Sequence, residues 1–155
     1  MSLGRVLAAG VVGGAAGSVA MLPLFRGAKW AGITREMPPY RVVDRAAAVA
    51  AQSAEAGGKV EEEQRTVAMI TSHTLYGVLG GVFYALIQDE LELPAVIAGP
   101  TFGLVLWAAG YLGWMPATGV LPEPWDQEAG DALTPLAAHL VFGLTLGVVE
   151  RQIRG

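Results

Sequence analysis

Four stretches of this chain are almost purely apolar, and its charged residues are confined to the segments outside them. The apolar runs extend from Val6 to Phe25, from about Val67 to Gln88, from about Pro94 to Met115 and from about Ala132 to Val149. A helix needs about 20 predominantly apolar residues to cross the hydrocarbon core of a bilayer. No Asp, Glu, Lys or Arg interrupts any of the four runs. The pattern predicts an all-α polytopic membrane protein with four transmembrane helices, a single integral membrane domain over residues 1–155. The third and fourth runs approach the minimum length because each carries prolines.

The first run reads as weak by hydropathy, being rich in Ala and Gly. It follows a short basic start but ends in Leu22-Pro23-Leu24-Phe25 rather than in a small-residue cleavage site. It is therefore read as a retained span and not as a signal peptide. Between the first and second runs, Met37-Pro38-Pro39-Tyr40 predicts a break. An Ala-rich segment from Val42 to Ala56 follows, with Asp44, Arg45, Gln52 and Glu55 among its apolar positions and Gly57-Gly58 after it. This predicts an amphipathic helix with a glycine stop, lying in the membrane interface or capping the bundle. Val60 to Thr66 reads as a polar helical lead-in to the second span. Asp89 to Leu93 is a tight acidic turn. Residues 116–131, with three prolines and Trp125, predict an ordered surface loop. Trp114 and Trp125 fall where an interfacial aromatic belt is expected.

Composition sharpens this picture. The chain is 53% hydrophobic and 15% charged, with a mean hydropathy of +0.46. Soluble domains carry roughly a quarter charged residues. With no Cys there is no disulfide, thiol nucleophile or Cys-ligated zinc. The net charge of −4 and the absence of a dense basic run exclude nucleic acid as a partner. The bilayer is the expected environment, with a homo-oligomer or a larger membrane complex open as protein partners. Gly accounts for 21 residues without a linker-like period, which suits helices packing closely in lipid. Gly10, Gly13, Gly14 and Gly17 supply overlapping small-residue spacing in the first span.

The chain has two histidines, and both open the same motif. His73 and His139 are each followed by an aromatic at the third place on (Tyr76, Phe142), Gly at the fourth (Gly77, Gly143), Gly at the eighth (Gly81, Gly147) and Val at the ninth (Val82, Val148). Positions i, i+4 and i+8 lie along one helix face. The preceding spans echo each other more faintly, through Ala9-Gly10 and Ala98-Gly99. The pattern suggests two similar helical hairpins related by an axis along the membrane normal. The second and fourth spans run in the same direction, so at 1.5 Å per residue both histidines sit roughly 10 Å below one surface.

Three readings of the pair stand side by side. Each imidazole could donate to a carbonyl or hydroxyl and fix helix register. The pair could take up protons, since the unperturbed histidine pKa is about 6.5 and two charged rings repel, making an acid sensor or proton path. The pair could hold a b-type haem between the helices, with Gly77 and Gly143 giving room for the ring, as a membrane anchor for electron transfer. No other metal site is expected, because no acid lies within a span. Nothing marks an enzyme: only Ser72 adjoins a histidine, and neighbours on a helix point in different directions. The carboxylates Glu123, Asp126, Glu128 and Asp131 read as a solvated loop.

Several of these residues are similar to the YagU-like family of small bacterial inner-membrane proteins. The similarity rests on Ser72-His73 with Tyr76, on Pro38-Pro39 with Val43-Asp44, and on the closing run of Gly119, Leu121-Pro122, Pro124-Trp125, His139-Leu140-Val141, Glu150-Arg151 and Arg154. The resemblance implies a polytopic plasma-membrane protein, a link to acid resistance and termini in the cytoplasm. Charge alone points the other way. The loop between the first two spans holds Arg26, Lys29, Arg35, Arg41, Arg45, Lys59 and Arg65, against Arg5, Arg151 and Arg154 on the side of the termini. The expected function is a non-enzymatic membrane protein tied to acid or proton handling through His73 and His139. A haem-bearing anchor and an accessory subunit of a larger complex are the alternatives.

Overall fold

The computed structural model describes residues 2–35, 37–54, 61–91 and 93–155. Among the described residues there are five long helices: α1 (Leu3–Trp30), α2 (Pro38–Ala54), α3 (Glu62–Leu91), α4 (Ala95–Ala117) and α5 (Ala129–Arg154). Four of them, all except α2, are long and apolar enough to cross a membrane. The protein is thus an all-α, multi-pass membrane protein. Helices α1, α3 and α5 exceed the apolar runs at both ends, because polar residues such as Glu62, Glu63 and Arg154 continue the hydrogen-bonded ladder past the hydrocarbon limit.

Two departures from the expected boundaries have local causes. Pro38-Pro39 begins α2 rather than preceding it. A proline lacks only an N–H that the first helical turn leaves unpaired in any case. The expected glycine stop at Gly57-Gly58 lies outside the described residues. Pro23, Pro100 and Pro135 sit inside α1, α4 and α5 without ending them, as is usual in spans, where neighbouring helices re-satisfy freed backbone groups.

The helices alternate in direction, which gathers the connections at two ends. At the end of the termini, Arg5 Nε donates to the Ile153 carbonyl at 2.9 Å. There Arg154 also bridges Glu150 and Asp89, each at 3.0 Å. Glu150 closes the fourth apolar run, yet it is 1% exposed, because Arg154 one turn later pairs with it inside the protein. At the loop end, Thr34 Oγ1 donates to Asp131 at 2.5 Å, Arg35 pairs with Glu128, and Arg45 Nε donates to the Thr118 carbonyl at 3.2 Å.

Glycine decides which helices touch. In the α1–α3 pair a methyl group at Gly14 would strike the Gly77 carbonyl oxygen, and one at Gly81 would strike that of Gly10. In the α4–α5 pair, Gly99 and Gly143 stand in the same mutual contact, and a methyl at Gly147 would lie 2.7 Å from the Ala95 carbonyl oxygen. Such backbone-to-backbone approach is available only where both faces lack side chains. The structural correspondence therefore matches Gly14 with Gly99 and Gly10 with Ala95. That is one helical turn away from the alignment of Gly10 with Gly99 that the sequence echo suggests. The two hairpins are joined through α1 and α5. Gly13 and Gly17 there admit the side chains of Leu146 and Phe142, with a methyl at Gly17 falling 2.7 Å from the Phe142 ring. Phe142 and Leu146 are 2% and 0% exposed.

The fourth side of the bundle is different. Helices α3 and α4 are joined by the shortest connection between spans, yet their backbones scarcely meet. Side chains fill the interval: Phe102 lies 5.3 Å from Tyr84, edge to face, and 6.3 Å from Phe83. Toward the loop end α4 leaves the α geometry altogether. Residues Ala109–Trp114 form a π-helical turn, with a non-helical backbone at Gly113. Outside, Leu75, Leu79, Phe83, Val96, Ile97, Val105 and Leu133 present a continuous apolar surface, as a helix surface in contact with lipid requires.

Candidate functional site

A cavity of about 220 Å³ lies inside the loop half of the bundle. Met21 and Phe25 of α1, Leu106 of α4, and Phe142 of α5 make its apolar walls, and Pro39 and Val42 of α2 roof it. His73, Tyr76 and Ser72 enter from α3, His139 from α5 and Ser18 from α1. The matched heights of the two histidines follow from the helix starts: α3 begins at Glu62 and α5 at Ala129, and each histidine comes about three turns later.

The polar side chains divide into those already occupied and those still free. Ser18 Oγ donates to the Gly14 carbonyl at 3.0 Å, and Ser72 Oγ to the Met69 carbonyl at 3.2 Å. Both hydroxyls thus spend their protons on their own helices. His139 Nδ1 lies 2.7 Å from the Pro135 carbonyl oxygen. A carbonyl can only accept, so Nδ1 carries the proton and Nε2 of the neutral ring is a bare lone pair. His73 lies beside the backbone of Ser18 across the helix interface, and its Nε2 is buried with no hydrogen-bond partner. A buried, unpaired ring nitrogen is uncommon and calls for an explanation. The two rings differ: His139 is anchored within its own helix, and His73 keeps an unmatched nitrogen.

The π turn brings in residues that the sequence reading passed over. Tyr111, 3% exposed, packs edge-on against His139 with centroids 5.8 Å apart and stacks on Trp107 at 5.9 Å. Trp114 and Met115 complete the wall. Trp114, half-buried, lines the cavity beside the π turn. Trp125, 72% exposed, stays on the surface in a short 3₁₀ turn at Pro124–Asp126. π turns inside helices are frequent at functional sites. Gly110 and Gly113 are the residues that could have signalled this irregularity.

The roof is held electrostatically. Arg65 of α3 makes a two-pronged contact with Asp44 of α2, Nε to Oδ1 and Nη2 to Oδ2, both at 2.7 Å. The same guanidinium lies 4.6 Å over the Tyr40 ring, a cation–π placement. Its hydrogen bonds hold the Asp44 carboxyl below the usual carboxylate range, against a smaller opposing effect of burial.

Of the glycines singled out in the sequence, Gly10, Gly14, Gly77 and Gly81 line the α1–α3 contact. Gly17 faces Phe142, and Gly143 and Gly147 line the α4–α5 contact. Gly77 also borders the cavity. None of them opens a slot for a haem. The cavity is smaller than the roughly 300 Å³ at which sites for drug-sized ligands begin, and a porphyrin does not fit it. Among the described residues no group of three or more His, Asp or Glu is placed to hold a metal ion.

Residues 26–148 match the family described as "Protein of unknown function (DUF1440)". This span holds the end of α1, the roof helix and nearly all of the three later spans, including both histidines. The chain belongs to this family. No curated protein and no solved structure matches it.

Proposed function

We propose that this DUF1440 chain is a non-enzymatic, YagU-like protein of the bacterial inner membrane in which His73 and His139 form a proton-accepting pair. On this reading the termini are cytoplasmic, and the cavity lies toward the outer side, where acid arrives. The single observation that carries it is the meeting of two imidazoles in one cavity, His139 with Nδ1 tied to a backbone carbonyl and His73 with a buried Nε2 that has no partner. Nε2 of His139 is then the atom of that ring open to an incoming proton. His73 Nε2 has no partner to lose, so protonation there breaks no existing hydrogen bond. A second proton would place two like charges across one small apolar space. Like charges in one site oppose joint ionisation, and the pressure falls on the least tightly packed wall, between α3 and α4.

The test uses Trp114, which lines the cavity. In a variant retaining Trp114 as its only tryptophan, fluorescence in lipid nanodiscs is followed between pH 3 and pH 8. The expected result is a titration that shifts in His73→Gln or His139→Gln and disappears in the double variant. An unchanged titration in the double variant, with folding intact by circular dichroism, rejects the reading.

A further inference from the structure

We propose that the same cavity binds a small membrane-soluble phenol or quinol, admitted from the bilayer between α3 and the kinked end of α4. The inference builds on His73 and His139 being the working residues of the site, but it does not require them to titrate.

Size is the first argument. An apolar cavity of about 150 Å³ accommodates benzene, so about 220 Å³ admits one ring with small substituents. The second is the hydrogen-bonding character of the walls. His139 presents Nε2, which accepts and cannot donate while Nδ1 carries the proton, and the buried Nε2 of His73 has no partner. The serine hydroxyls already donate to their own helices, while Tyr76, Tyr111 and Trp114 add donors to the lining. The cavity therefore offers an unmatched acceptor beside donors, and it matches a ligand whose own O–H both donates and accepts. A phenolic O–H resembles that of tyrosine, with a pKa of about 10, so it arrives neutral and protonated at pH 7. Leaving a buried acceptor unmatched is costly, a cost that an O–H ligand removes and an ether does not. The third is shape: Tyr111, Phe142 and Trp114 supply ring faces and edges suited to a flat aromatic.

The route follows from the packing. Three walls of the cavity rest on helix pairs whose backbones touch. The fourth, between Tyr76 on α3 and Leu106 on α4, is made of side chains. Tyr76 both lines the cavity and is 38% exposed, so it stands between the cavity and the lipid. A neutral aromatic dissolved in the bilayer reaches this wall directly.

The test compares p-cresol, and separately 2,3-dimethylhydroquinone, with 4-methylanisole, which keeps the ring but lacks the O–H. Binding is read as quenching of Trp114 in the single-tryptophan protein in nanodiscs. The expected result is saturable quenching by p-cresol and by the quinol. Binding of 4-methylanisole, and of p-cresol by His73→Ala, should be at least tenfold weaker. The natural chain has no cysteine, so Tyr76→Cys places a single thiol at the gate. Capping it with benzyl methanethiosulfonate should block p-cresol, and dithiothreitol should restore it, which controls for misfolding. Equal, non-saturating quenching by p-cresol and 4-methylanisole would be partitioning into lipid and would overturn the proposal. Saturable binding unaffected by the cap would overturn the lateral route. Either failure with the ligand-free pH titration intact leaves the proton reading standing, whereas loss of that titration alone leaves the binding site standing.

Discussion

The two hairpins are built on one plan and finished differently. In α1–α3 and in α4–α5, glycines bring two backbones together at corresponding levels, and the second helix of each carries a histidine one turn before its first seam glycine. The first hairpin keeps a roof helix, and the buried Nε2 of its His73 has no hydrogen-bond partner. The second has no counterpart of the roof. Its α4 breaks into a π turn, and its His139 is tied to Pro135 on its own helix. Ideal two-fold symmetry would repeat the tight α1–α5 contact between α4 and α3. That contact is missing, and the cavity occupies its place at the loop end. A repeated fold thus gains an internal space by failing to repeat one interface.

The comparison can be broken most severely at the shared interface. Phe142→Ala removes the ring that fills the groove beside Gly17 and should cost about 3–5 kcal/mol, the range for large aromatic truncations in packed cores. Thermal unfolding in detergent should show a large drop in midpoint. A loss well below 1 kcal/mol would mean that the hairpins are not held together there. Next come the seams. Gly14→Val and Gly99→Val each drive a branched side chain into a backbone carbonyl, and overpacking of this kind costs about 1–3 kcal/mol. Equal losses for the two variants would support equivalent seams, and a marked inequality would break the correspondence. Gly27→Ala, where an added methyl meets nothing, should show no loss.

The smallest effect belongs to the roof, which only the first hairpin has. Asp44 has a depressed pKa in the folded protein. Its contribution is therefore fully present above the ordinary carboxylate value of about 3.9, and it is lost as pH falls through the depressed value. Asp44 is half exposed, so the pair contributes at most about 1 kcal/mol. Arg65→Ala should release α2 at neutral pH, seen as faster amide exchange in residues 38–50. Asp44→Asn should remove the acid-dependent part of that exchange. Retained protection of α2 in both variants would show that apolar contacts of Tyr40 and Val43 hold the roof.

Much of this architecture can be read from the residues themselves. The spans are legible because a helix in lipid must be apolar on nearly every face, and the histidine motif because its i, i+4, i+8 spacing survives in both halves. The register between the halves is less legible. Gly10 and Gly99 look equivalent, but close approach also uses Ala95, and alanine does not stand out in such a composition. The burial of Glu150 is hidden because its partner Arg154 lies beyond the apolar run. The start of α2 at Pro38 is obscured because the same dipeptide marks a break or a first turn. Least legible is the π turn, since it depends on how Tyr111, Trp107 and His139 fit together across two helices.

That turn has a consequence for how the protein tolerates changes in length. A π turn holds one residue more than an α turn, and an α-helix advances by about 100° per residue. Deleting a single residue between Ala109 and Trp114 would regularise α4 and leave everything beyond it on nearly the same face, because the turn loses only its extra residue. The same deletion in the regular part of α4 would swing Trp114 and Met115 by that angle, away from the histidines. The inward face at this end is set by a count of residues as much as by their chemistry, and a one-codon deletion should be less damaging inside the π turn than before it.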